Sequence, residues 1–301
     1  MMNALIGLSR ETNGSPILEL FARLGFEDCR ATLAYVADDN SQQHHHPFGR
    51  NGSSATATLE RTECLSAIEK DANQMLDEAR ANLYESGIHA THVILHGHPA
   101  TALMEAGDQL CTDLICATAT KQGALRCAVF GSVCRALTIH AKESVLISKG
   151  VPEGNKPFTA VLAIDHSPYC EKALDRLIEM NPMGIQKLIV MTAVAPREYD
   201  ELWSSYDLPE SEQATLRFDR DRVLARNAEI AQRFRGRNIE ASVAVLDLPV
   251  RESINQVMTD NNADLLIMAS QGHGFVERLT IGSLTLHEAV AETHSLLIVR
   301  P

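Results

Sequence analysis

The sequence predicts an α/β chain of two tandem domains, each a doubly wound, parallel, five-stranded sheet flanked by helices. Three observations lead there. At 301 residues the chain exceeds what one hydrophobic core usually organises, since domains cluster at roughly 100 to 150 residues. The second half also repeats the first. At a constant offset of 151, Ile88 recurs as Ile239, Leu95 as Leu246, Asp113-Leu114 as Asp264-Leu265 and Gly131-Ser132 as Gly282-Ser283, and Ser144 to Ile147 recurs as Ser295 to Ile298. Finally, short apolar runs alternate with stretches of helical spacing, the pattern of strands joined by right-handed helical crossovers.

Taken in chain order, Met1 to Leu8 lacks a basic flank and meets polar Ser9-Arg10-Glu11 too early for a secretory segment, so it is expected to be a first strand. Ser15-Pro16 and Ser167-Pro168 follow the first apolar run of each half, where Ser can cap a helix and Pro suits its first turn. The stretch from Asp38 to Thr58, with His44 to His46, is polar and Gly/Ser-rich and is expected to be a mobile loop, as is its counterpart from Pro196 to Glu212. Leu65, Ile68, Ala72, Met75, Ala79 and Leu83 have the spacing of a helix face, as do Ala173, Leu174, Leu177 and Ile178. Glycines and prolines between Lys149 and Pro157 break both periodicities, giving domains over 1–150 and 151–301. In the second, Val161 to Ile164, Leu188 to Met191, Ala241 to Leu246, Leu265 to Met268 and Leu296 to Val299 are continuous apolar runs, as suits parallel strands buried on both faces. Ligands of such sheets bind outside the carboxyl ends of the strands.

Composition narrows the function. A net charge of −12 without a basic cluster argues against nucleic acid. No apolar run is long enough to span a bilayer, so no membrane partner is expected. Seven cysteines without C-x-x-C pairs are expected to be free thiols of a cytoplasmic protein, with Cys111, Cys116, Cys127 and Cys134 in or near the core. His92, His96 and His98 occur at even spacing on or just beyond a strand, as residues of one face would, yet no Cys/His spacing matches a zinc module, so no metal is assigned. His96-Gly97-His98 is one residue short of a nucleotidyltransferase signature, and there is no G-K-[S/T] phosphate loop.

The stretch Ala269-Ser270-Gln271-Gly272, nine residues, then Gly282-Ser283 and Leu284 carries the most chemistry. Glycines let backbone amides approach a phosphate, and a helix N-terminus adds free N–H groups and a favourable dipole. It resembles the G-x-x-G, nine residues, G-[S/T] motif of the universal stress protein family, with Ala269 in place of the first glycine. Val161 to Ser167 resembles the family's strand ending in D-x-S, and Met191-Thr192-Ala193 stands where the family often reads L-H-V. Asp247-Leu248-Pro249 replaces G-x-P. The resemblance implies a Rossmann-like fold and a site for ATP, with Mg²⁺ held mainly by the phosphates. It is formed by Ile164, Asp165, Ala193, Ala269, Ser270, Gly272, Gly282, Ser283 and Leu284, with Asp165 toward the ribose and Ala193 against adenine; bonding its own turn is the other reading of Asp165.

The first half departs further, with Thr118-Ala119-Thr120-Lys121 before Gly131-Ser132 and Ser9 or Asn13 at the position of Asp165. It reads as a degenerate domain. Single-domain relatives pair as homodimers through their last strand. The resemblance thus implies that Ser144 to Ser148 and Ser295 to Val299 relate the two domains by a pseudo-twofold axis within one chain, with further homodimerisation open. With neither a general base nor a carboxylate pair for Mg²⁺, the expected function is a regulatory stress-response protein that binds ATP with little or no hydrolysis and without a catalytic residue. The alternative is an interaction module holding another small anion or a hydrophobic ligand.

Overall fold

The computed structural model describes residues 1–10, 15–37, 55–119, 131–150, 154, 156–194, 220–237, 239–269 and 294–301, with the backbone alone over 55–68. The chain divides into two units, Met1–Val151 and Pro152–Pro301.

In the first unit, strands β1 (Met2–Leu8), β2 (Cys29–Ala37), β3 (Ala90–His96), β4 (Leu114–Thr118) and β5 (Ser144–Ser148) form a parallel sheet in the order β3-β2-β1-β4-β5. Helices α1 (Ser15–Leu24), α2 (Ala55–Glu85), α3 (Pro99–Gln109) and α4 (Ser132–His140) make the crossovers. The second unit repeats the plan. Its strands β6 (Thr159–Ala163), β7 (Lys187–Ala193), β8 (Glu240–Leu246), β9 (Leu265–Ala269) and β10 (Ser295–Val299) take the order β10-β9-β6-β7-β8, all parallel. Its described helices are α5 (Pro168–Met180), α6 (Arg220–Arg235) and α7 (Val250–Asp260).

Every residue of β5 and of β10 is buried, as are the first four of β4, β6 and β9. Strands covered on both faces need no polar alternation, which is why they read as unbroken apolar runs. The helices meet them with stripes of one spacing: Ala72, Leu76, Ala79 and Leu83 on α2, and Val223, Asn227, Ile230 and Phe234 on α6 are all buried.

One feature recurs at the amino ends of the central strands. The Asp113 carboxylate accepts from the Asn3 amide at 2.7 Å while the Asp113 amide donates back to the Asn3 carbonyl at 2.8 Å. Asp264 makes the same clasp with Thr159, at 2.9 and 2.8 Å, and also holds Lys156 Nζ at 3.1 Å. The recurrence of Asp-Leu at the start of β4 and β9 thereby has a physical reason: the carboxylate closes the first rung between strands far apart in sequence.

Two expectations need correction. Ala55 to Thr58 belongs to α2 and not to the preceding polar segment, in keeping with the high helix propensity of its alanines. Cys111 is exposed, because the chain leaves α3 there through a left-handed turn with φ 49°. Cys116 and Cys134 are buried, and Cys127 lies outside the described residues. Residues 38–54 and 195–219 also lie outside them.

Candidate functional site

In each unit the chain winds outward from the first strand and then returns to its other side, so the strand order reverses between β1 and β4 and between β6 and β9. The crevice outside the carboxyl ends at such a reversal is where open α/β sheets bind ligands.

In the second unit this crevice is bounded by Ile164 and Asp165, just past β6, and by Ala269, the last residue of β9; Ala163 pairs with Met268. Ala193 ends the next strand, opposite Leu246. Four of the nine residues expected at the site therefore share one edge. Ile164 is buried, and its amide donates to the Met191 carbonyl at 3.0 Å. Asp165 is exposed, and its Oδ1 accepts from the Ser167 amide at 2.9 Å. Ser167 in turn caps α5, its hydroxyl accepting from the Cys170 amide at 3.1 Å. The carboxylate thus bonds its own turn while facing solvent. Ser270, Gly272, Gly282, Ser283 and Leu284 lie outside the described residues.

Beneath this turn is a polar cluster that reading the sequence did not single out. His166 adopts the left-handed region with φ 58°, which carries its ring inward to 3% exposure. Its Nε2 lies 3.4 Å from the Thr192 hydroxyl, which donates to Asn227 Oδ1 at 3.2 Å. Asn227 Nδ2 donates to the Ala244 carbonyl at 3.5 Å. With the amide so oriented, a hydroxyl that gives its hydrogen to Oδ1 accepts from Nε2–H, the arrangement of the neutral Nε2–H tautomer. Burial holds the His166 pKa below its ordinary value, with the Arg226 charge acting in the same direction and Asn227, Glu171 and Asp165 opposing. Arg226 pairs with Glu171 at 3.8 Å. The cluster had two legible signals: Asn227 interrupts the apolar stripe of α6, and Thr192 the apolar run of β7.

The first unit serves as an internal control. Leu5 pairs with Ile115 as Val161 pairs with Leu266, and Leu5 with Thr32 as Val161 with Ile189. Ser9 therefore stands at the position of Asp165, Arg10 at that of His166 and Tyr35 at that of Thr192. The Arg10 guanidinium lies over the Tyr35 ring, 5.6 Å from its centroid, and within 3.7 Å of Asp71. Fully buried Leu76 occupies the place of Asn227. At the motif's far end, Gly131 precedes α4 with φ −60°, a value open to any residue. Backbone freedom therefore does not require a glycine there.

Other chemistry finds little support. Burial raises the Cys134 and Cys170 thiols to about 12, unsuited to nucleophilic attack. His92 and His96 lie 3.8 and 3.9 Å from the α2 carboxylates Asp77 and Glu69. Among the described residues no three His, Cys, Asp or Glu side chains could hold a metal ion, and no helix is long and apolar enough to cross a membrane. Asp247 pairs with Arg220.

Both halves match the model of the universal stress protein family, over residues 17–149 and 158–300. The chain belongs to that family. Membership supports a role in stress response, and the two matches make this a tandem universal stress protein. A universal stress protein from Archaeoglobus fulgidus DSM 4304 is similar over 99% of this chain and 98% of its own, with a TM-score of 0.66 and 16% identity. A protein described as functionally unknown from Pseudomonas aeruginosa PAO1 is similar over 100% and 93%, with a TM-score of 0.59 and 13% identity. At such identities these structures speak for the fold alone. No curated protein matches the chain.

Proposed function

We propose that the second domain binds ATP at the β6/β9 crevice and that the chain acts as a nucleotide-responsive regulatory protein with slow turnover or none. The observation that carries this reading is that Ile164, Asp165 and Ala269 meet at the carboxyl edge where the strand order reverses, with Ala193 at the same edge one strand away. Their chemistry fits a nucleoside: Asp165 offers an exposed carboxylate for ribose hydroxyls, and Ala193 leaves room for a base. The phosphates fall to Gly272, Gly282 and Ser283, whose glycines permit close amide contact. Mg²⁺ would be held mainly by the phosphates.

The first domain is proposed not to share the site, since Thr118 and Ser9 stand where the second has Ala269 and Asp165. Titration calorimetry with MgATP should give one nucleotide per chain, with GTP much weaker. Gly282→Val should abolish binding, because its side chain would enter the phosphate position. Full-strength binding by Gly282→Val would sink the assignment. No binding of ATP by the unaltered chain would favour the alternative, an interaction module for another small ligand.

A further inference from the structure

The cluster beneath Asp165 has no counterpart in the first unit, which builds the same strands and helix with Arg10 over Tyr35 and with Leu76 at the position of Asn227. The fold therefore does not require it. A buried polar chain costs stability unless every member is satisfied, and a histidine in the left-handed region adds backbone strain. Its placement suggests what it serves. His166 sits between Asp165 and Ser167 in sequence, and Thr192 lies beside Ala193. The chain of contacts thus ties the turn that presents the carboxylate to the strand end that presents the small apolar residue.

We propose that His166 is a proton-sensitive positioning residue: neutral, it latches the Asp165–Ser167 turn onto β7 through Thr192 and Asn227, and on protonation it releases the turn and weakens ligand binding at the crevice. The ligand half of this proposal rests on the nucleotide reading above. With Nε2–H committed to Thr192, the incoming proton goes to Nδ1 and leaves a cation on a ring only 3% exposed. Facing it are Asp165 on the turn, Glu171 on α5, Thr192 on β7 and Arg226 and Asn227 on α6. Glu171 is already paired with Arg226, so the two charges offset each other, and the exposed Asp165 favours the cation by less than burial disfavours it. Swinging the ring outward is the ready escape for the cation. It unwinds the left-handed residue and loosens the bonds from the Ser167 amide to Asp165 and from the Cys170 amide to Ser167.

Hydrogen exchange on the ligand-free full chain, expressed as protection factors from pH 8 to pH 5, tests the latch. The His166 ring signal in NMR, assigned by its loss in His166→Asn, marks the titration. The Ser167 and Cys170 amides should lose protection as that ring titrates, and His166→Asn, which tolerates the left-handed backbone, should show a flat profile. Thr192→Val, near in shape, should move the midpoint toward the ordinary histidine value. Unchanged wild-type protection across the titration, or the same fall in His166→Asn, overturns the latch. In parallel, MgATP affinity should fall in the same pH window, by no more than tenfold per pH unit, the slope of one proton. Flat affinity while the amides lose protection overturns the link to the ligand. Failure to bind MgATP at any pH strikes out the nucleotide reading, and the exchange result alone then upholds or overturns the latch.

Discussion

His166 makes a prediction at the scale of one residue that needs no ligand. Burial lowers its pKa in the fold below the ordinary value of 6.5. Above pH 6.5 neither the folded nor the unfolded chain binds the proton, and the neutral ring's contribution is fully present. As pH falls from there through the folded pKa, the unfolded chain takes up a proton that the fold refuses, so stability declines with acid and levels off below that value. Urea denaturation at pH 7.5 and pH 5 should show a larger loss for the wild type than for His166→Asn; equal losses would mean the ring is not held neutral. Asp165 is the companion case. Its turn bond to Ser167 is a purely local role, and an exposed carboxylate can add a ribose contact to it. Asp165→Asn should weaken MgATP binding, checked by calorimetry, whereas lost hydrolysis at intact affinity would make the residue catalytic. The carboxylate was legible from the D-x-S pattern. The imidazole was not, because nothing in that pattern says that the middle residue will take a positive φ and turn inward.

Among elements, the central strands β4, β6 and β9 were the most legible part of the chain, because burial over most of their length favours near-continuous apolar runs. Ser167 as the cap of α5 could likewise be read from Ser-Pro, its hydroxyl meeting the Cys170 amide. Less legible was the start of α2, where alanine and threonine fit a helix or a polar segment equally well. Asp113 and Asp264 were visible only as a recurring Asp-Leu pair; their work needs the strand register, which joins residues more than a hundred positions apart. Each carboxylate accepts from a backbone amide, a charge-assisted bond of about 1.5 to 3 kcal/mol. Asp113→Ala and Asp264→Ala should each lose about that much in chemical denaturation, and Asp264→Ala more, since it also removes the ion pair with Lys156. A loss below about 0.5 kcal/mol for both would show the clasps to be incidental.

For the molecule as a whole, the repeat supports an unequal division of labour. The first unit keeps the strand order and the buried faces but carries an Arg–Tyr contact and a leucine where the second has its polar cluster. Addition of MgATP should therefore raise hydrogen-exchange protection in peptides from 152–301 and leave those from 1–151 near their ligand-free values. Equal protection in both would mean that two sites are filled. The Asp clasps also bear on how the chain is made. A strand that waits for a partner more than a hundred residues downstream cannot complete its sheet while the ribosome still holds that partner, and closing so long a loop is entropically slow. Met2–Leu8 must leave the exit tunnel with one edge bare until Leu114–Thr118 follows, and Thr159–Ala163 repeats the wait for Leu265–Ala269. At roughly 5 to 20 residues per second, each apolar edge stays open for several seconds of synthesis, long enough for a holding chaperone to find it.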